Sequence, residues 1–176
     1  MADPMSGDIS WYSPDPRAVI PLSSFTPSRS LRRKLKRNVF HVTINTAFRK
    51  VVGMCADRAD TWISSAIVDA YDRLHREGYA HSIESWHGDL LVGGLYGVAL
   101  GGAFFGESMF SRETDASKVA FAHLVQRLLR NGFVLLDTQF INKHVQTLGA
   151  IEIPRSQYLN ALREAIPLPT RFDDQI

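Results

Sequence analysis

A single cysteine, Cys55, is all that the 176 residues contain, so no intrachain disulfide and no multi-cysteine metal site can form. No apolar run is long and unbroken enough to span a bilayer; the longest, Leu90 to Gly106, is interrupted repeatedly by glycine. The N-terminal "MADPMSGDISWYSPDP" lacks both the basic start and the apolar centre of a secretion signal. There is no Gly-x-Ser-x-Gly elbow and no Walker loop, and His41, His75, His81, His87, His123 and His144 fall in no metal-ligand spacing. These absences remove the usual support for hydrolase, NTPase, metalloenzyme and membrane readings. A soluble protein of a reducing, cytoplasmic compartment is expected, with no metal and no cofactor. With 45% hydrophobic and 22% charged residues, the composition is that of one globular domain with a real core.

Acid is missing from one long stretch. Between Asp15 and Asp57 no Asp or Glu occurs, yet nine of the twenty Lys and Arg lie there, so the remainder of the chain is net acidic. Within that stretch "TPSRSLRRKLKR" reads as a helix with Thr26 as N-cap and Pro27 in the first helical position. Helical spacing puts Arg29, Arg33, Lys36 and Arg37 on one side and Leu31 and Leu35 on the other. Solvated helix faces usually mix signs, and this one has only cations. A basic stripe without local counter-charge is the electrostatic footprint of nucleic-acid contact.

The remaining chain alternates between periods. "VFHVTINT" reads as a strand, "AFRKVVGMCA" as a short helix, and Ser64 to Glu77 as a helix stopped by Gly78. "YAHSIESW" and "LLVGGLYGVAL" read as a hairpin turning at His87-Gly88-Asp89, and "GAFFGESMF" as a third strand. Asp115 is the expected cap of a long helix to Arg130; "FVLLD" follows as a buried strand, Phe140 to Thr147 as helix, and Arg155 to Ile166 as a closing helix. The expectation is an α+β fold, with a mostly antiparallel central sheet flanked by helices. Residues 1–10 are expected to be disordered, 11–166 to form the domain, and 167–176 to form a tail.

Two features of the strands invite a chemical reading. "FFGESMFS" puts one carboxylate, Glu107, into an otherwise aromatic and small-residue run, where burial without a partner would be costly. Either an arginine pairs with it or a ligand does. "DTQ" puts Asp137 and Gln139 at the end of an apolar strand, where alternation sends both side chains to one face. That pair is either a strand-end turn capping the next helix or a hydrogen-bonding device. "WYSPDPR", Trp11 to Arg17, joins two aromatics to a turn stiffened by two prolines and ending in arginine.

"WYSPDPRAV", "TWIS", "HSIESW", "LVGGLYGVALGGAFFGESMFS", "DASK", "LLDTQ" and "LGAIEIPR" occur in order and with matching spacing from Trp11 to about Leu162. Together they resemble the bacterial leucyl/phenylalanyl-tRNA–protein transferases. The resemblance implies a GNAT-type acyltransferase domain that moves Leu or Phe, and possibly Met, from aminoacyl-tRNA to the N-terminal Arg or Lys of a protein, marking it for N-degron proteolysis. It implies that Glu107 holds the donor's α-amino group and that Asp137 and Gln139 relay hydrogen bonds to the attacking amine. Trp62 matches a tryptophan beside the terminal adenosine, and Arg29, Arg33, Lys36 and Arg37 match acceptor-stem contacts. By position, Leu95, Phe104, Met109, Leu124 and Leu136 would line the donor side-chain pocket.

The chain also departs from the pattern. Tyr12 stands for the motif's second tryptophan, Thr138 for a common cysteine, and Leu95 and Leu124 for bulkier residues. Family members commonly carry a further segment ahead of the motif, with a Gly-Gly-Asp element and another aromatic of the adenosine clamp, so this chain is expected to be a short form. A catalytically weak tRNA-binding homologue is the alternative. A CoA-dependent acetyltransferase would need a glycine-rich pyrophosphate loop opening a helix, and "SRET" before the Asp115 helix has no glycine. A monomer is expected.

Overall fold

A computed structural model describes residues 10–59 and 61–172 of the chain. The expected disorder of residues 1–10 falls almost wholly outside the described residues. Among the described residues, seven strands form one sheet: β1 (Arg17–Val19), β2 (His41–Ile44), β3 (Ala80–His87), β4 (Leu90–Leu100), β5 (Ala103–Ser111), β6 (Leu135–Gln139) and β7 (Ile151–Ile153). Their spatial order is β2-β3-β4-β5-β6-β1-β7. Every pairing is antiparallel except β5 with β6, which run parallel because α4 (Ala116–Arg130) crosses between them.

The helices divide by face. On one face α4 covers Ile83, Leu95, Phe104 and Leu136 with Leu124, Val125 and Leu128. On the other, α2 (Phe48–Ala56) and α3 (Ser65–Arg76) cover Ala80, Leu91 and Tyr96, while α6 (Arg155–Ala165) covers Val19, Ala103 and Leu135 through Tyr158. The segment expected as a tail contributes Phe172 to the core, where it stacks on Phe104 with ring centroids 5.4 Å apart.

Helix starts differ from the sequence expectation in two places. Helix α1 (Arg29–Lys36) begins later than its Thr26-Pro27 signal, because the Ser28 side chain takes the Leu31 N–H and caps it. Asp115 does precede α4, but it sits at φ +71° and makes no side-chain cap bond. Its carboxylate instead pairs with Lys34 at 2.9 Å and Lys118 at 3.4 Å, and the Lys34 hydrogen bond holds its pKa below the ordinary value. Lys34 therefore pins α1 to α4 and leaves Arg29, Arg33, Lys36 and Arg37 exposed. None of these four is in an ion pair among the described residues.

Glycine is required where β4 is overlaid. A Cβ on Gly97 would come within 2.3 Å of the Phe105 carbonyl oxygen and 2.5 Å of the Phe104 ring. Gly53, inside α2, has nothing within 4 Å of such a Cβ. Gly97→Ala is accordingly expected to lower stability by about 1–3 kcal/mol through overpacking, whereas Gly53→Ala should raise it by roughly 0.5–1 kcal/mol through helix propensity. Urea midpoints of the two variants beside the parent check both signs.

Candidate active site

The parallel pair β5/β6 is joined only briefly. Ala103, Phe104 and Phe105 pair with Leu135, Leu136 and Asp137, and the strands then part. Across the gap Gln139 Nε2 donates to the Gly106 carbonyl oxygen at 3.0 Å. The split opens a cavity of about 640 Å³ lined from both sheet faces.

On the α4 side the wall is aliphatic and aromatic: Ile20, Leu95, Met109, Phe121, Leu124 and Leu136. The short helix α5 (Lys143–Thr147) adds Val145 and His144, whose Nε2 lies 2.8 Å from Met109 Sδ. Burial, with Lys118 nearby, pushes the His144 pKa down. On the α2/α3 side the wall is polar: Arg58, Trp62, Tyr71, Tyr96, Glu107 and Ser108. Trp11, Tyr12 and Phe140 edge the opening, with Tyr12 and Phe140 in edge-on ring contact at 6.4 Å.

Glu107 reaches this wall because of a bulge. Leu95 pairs with Met109, Tyr96 with Ser108, and Gly97 with Gly106, so Glu107 is the extra residue that has no opposite number. Such an insertion re-aims a side chain without breaking the strand. No ion pair involves Glu107 among the described residues. Burial raises its carboxyl pKa to about 7, partly offset by hydrogen bonding from Tyr71. Burial, reinforced by the Glu107 charge, keeps the Tyr71 phenol above its ordinary range.

Asp137 lies elsewhere than its spacing with Gln139 suggested. It is fully buried on the α6 face and does not line the cavity. Its Oδ1 accepts from Arg17 Nε at 3.0 Å and from the Gln139 backbone N–H at 2.8 Å. Its Oδ2 accepts from Arg17 Nη2 at 2.7 Å and from Tyr158 Oη at 2.8 Å. Those four bonds use the carboxylate's acceptor capacity. Burial works against the Arg17 charge, but Asp137's hydrogen bonds and charge outweigh it and raise the guanidinium's pKa. Gln139 does line the cavity, and it sits at φ +61°, a conformation that the Asp137 contact to its N–H holds in place. The two residues therefore leave the strand on different faces, because the left-handed turn at Gln139 ends the alternation.

Of the residues singled out by sequence, the structure gathers Glu107, Gln139, Trp62, Leu95, Met109, Leu124 and Leu136 around the cavity. Phe104 is not among its walls; it is a fully buried core residue. Sequence reasoning named no role for Arg17, Arg58, Tyr71, Tyr96 or Tyr158. Arg17 carried a signal, since it ends the "WYSPDPR" motif, while the tyrosines looked like ordinary helix and strand faces. Among the described residues no cluster of three or more His, Cys, Asp and Glu could hold a metal ion. No described helix is long and apolar enough to cross a membrane. The start of α4, occupied by Asp115 with no glycine ahead of it, offers a pyrophosphate no cradle.

Comparison with known proteins places this architecture. A model of the family "Leucyl/phenylalanyl-tRNA protein transferase" matches residues 19–163. The leucyl/phenylalanyl-tRNA–protein transferase of Gloeobacter violaceus is 53% identical over 98% of this chain and 89% of its own length. Those of Roseobacter denitrificans and Chlorobaculum parvum are 55% and 54% identical, each over 94% of this chain, covering 79% and 88% of their own lengths. Among solved structures, L-PGS from Bacillus licheniformis aligns with a TM-score of 0.50 and 14% identity over 74% of this chain and 49% of that one, a likeness of fold alone. With its described fold almost wholly inside the matched range and about half its residues shared with these relatives, the chain belongs to the leucyl/phenylalanyl-tRNA–protein transferase family.

Proposed function

We propose that the cavity takes the 3′ end of an aminoacyl-tRNA and that the chain transfers its Leu or Phe to the N-terminal Arg or Lys of a protein, marking that protein for N-degron proteolysis. The observation that carries this reading is the adjacency of Glu107, a carboxylate with no ion-pair partner among the described residues, to an aliphatic lobe. An amino acid esterified through its carboxyl presents an ammonium and an apolar side chain, and the two parts of the cavity suit the two groups. Leu95, Met109, Leu124 and Leu136 would receive the side chain. Trp62 would stack on the terminal adenosine, and the exposed Arg29, Arg33, Lys36 and Arg37 would meet acceptor-stem phosphates. What supports a GNAT-type assignment is the parted parallel pair, between whose strands the substrate would lodge.

An aminoacyl ester is already activated, so the transfer asks for alignment and charge stabilisation more than for added chemical power. The acceptor's α-amine, with an ordinary pKa of about 8, is partly neutral near neutral pH. Gln139 spends its amide N–H on Gly106, which turns its Oε1 to accept from that amine and aim the nitrogen lone pair at the ester carbonyl carbon. The C–N bond forms, the bond between the acyl carbon and the ribose oxygen breaks, and the proton lost by the amine ends on that ribose oxygen. Asp137 is a positioning residue here: it fixes Gln139 and Arg17 and touches neither substrate. A monomer in the cytoplasm, where charged tRNA is found, is the setting we infer.

The direct test is transfer of labelled Leu from Leu-tRNA to a peptide beginning with Arg, beside one beginning with Ala. Incorporation into the Arg peptide alone supports the proposal; salt-sensitive tRNA binding without transfer would leave a tRNA-binding homologue. Gln139→Ala should lower kcat by about 10²-fold or more, and Asp137→Asn should do likewise with little change in tRNA affinity. Neutralising Arg33 or Lys36 should weaken all tRNAs alike and flatten the salt dependence by about 0.7–0.9 in log–log slope for each phosphate left without its cation.

The raised pKa of Glu107 also sets a pH signature. Its folded-state value of about 7 lies above the ordinary 4.5, so the carboxyl destabilises the free protein as pH rises through that window. Glu107→Gln should therefore have the higher Tm at pH 8, and the gap should close as pH falls toward 4.5. Melting curves across pH read this directly, without any substrate.

A further inference from the structure

One buried polar atom on the cavity wall has no hydrogen-bond partner among the described residues: the hydroxyl oxygen of Tyr96. The ring is fully buried, packed edge-on against Tyr71 at 5.3 Å and Phe48 at 6.0 Å between centroids. Its position is set by the ladder, since Tyr96 pairs with Ser108 immediately after the bulged Glu107. A buried hydroxyl left unmet keeps its desolvation penalty, so such atoms in native proteins call for an account. Here the account is the cavity, which Tyr96 lines together with Tyr71 and Glu107.

The class of ligand follows from the charges nearby. Glu107 opposes an anion, and Tyr71 donates its O–H hydrogen bond to Glu107 while keeping an oxygen lone pair. Cys55, whose thiol burial pushes up to about 12, is a neutral neighbour. Of the two arginines that line the cavity, Arg17 is paired with Asp137, and Arg58 is exposed and donates to Ser108 Oγ at 2.6 Å. Three groups with lone pairs to offer, the Glu107 carboxylate and two phenol oxygens, thus line the same wall, and among the described residues the Tyr96 oxygen has no partner. A primary ammonium has three N–H donors and one positive charge.

We propose that Tyr96 is a binding residue for the donor's α-ammonium, which would be held jointly by Glu107, Tyr71 and the otherwise unpartnered Tyr96 hydroxyl. This rests on the reading of Glu107 as the carboxylate that receives that ammonium. With Glu107 and Tyr71, the phenol discriminates a donor with a free α-amine from one without it, while the aliphatic lobe reads the side chain.

The experiment compares leucyl-tRNA with tRNA carrying 4-methylpentanoate, the same acyl group lacking the amine, in the parent protein, Tyr96→Phe and Glu107→Gln. Phenylalanine keeps the ring contacts and removes only the hydroxyl. The preference for leucyl over 4-methylpentanoyl donor, as a ratio of kcat/KM, should fall about tenfold or more in Tyr96→Phe, the scale of a hydrogen bond to a charged group. The Tm of ligand-free Tyr96→Phe should equal or exceed the parent's, because no internal hydrogen bond is removed. An unchanged preference ratio, or a clear fall in ligand-free Tm, would overturn the proposal. Should Glu107→Gln leave the preference intact, the reading of Glu107 fails on its own, and the Tyr96 ratio still reports separately on the phenol.

Discussion

The structure turns on the parting of β5 and β6. Parallel strands buried on both faces normally stay paired along their length, and here they separate after three residue pairs. Two devices hold the gap open and defined. The bulge at Glu107 bends β5 and turns a carboxylate inward, while Asp137 ties the end of β6 to Arg17 and Tyr158. A buried ion pair of this kind is a weak source of net stability but a strong constraint on geometry, since removing either partner strands a charge. Position, more than energy, is what this network supplies.

That geometry explains how one sheet serves two unlike chemical needs. The α4 face of the cavity is aliphatic because it is continuous with the main core around Leu95, Leu124 and Leu136. The opposite face is polar because Tyr71, Tyr96 and Arg58 project from around α2, α3 and β4. The basic stripe lies apart on α1, fixed in orientation by Lys34 reaching Asp115 while Leu31 is buried beneath it. A protein acting on a charged polymer and an apolar side chain at once needs that separation of charge from core.

Much of this was legible in the sequence, element by element. The hairpin β3/β4, the strand β5 and helices α2, α3, α4 and α6 follow from clear periodicity and clear stops. Strands β1 and β7 were missed because "RAV" and "IEI" are three residues long, too short to display a period. Glu107 stood out as a charge in an apolar run, and its bulge is visible only once Tyr96 and Gly97 are seen to pair with Ser108 and Gly106. The alternation rule placed Asp137 beside Gln139, and the positive φ at Gln139 broke that rule. Phe104 was placed in the pocket by its position in the family resemblance, yet it is turned onto Phe172. Tyr96 carried no mark at all, because a tyrosine in a glycine-rich strand reads as core until its hydroxyl is found without a partner among the described residues.

The most direct measurement is a crystal structure with a stable amide analogue of 3′-leucyl-adenosine. The account predicts the leucyl side chain among Leu95, Met109, Leu124 and Leu136, the ammonium about 3 Å from a Glu107 oxygen, and the scissile carbonyl in the β5/β6 gap beside Gln139. An analogue bound with its leucyl group outside that gap, or with its ammonium turned away from Glu107, would contradict it.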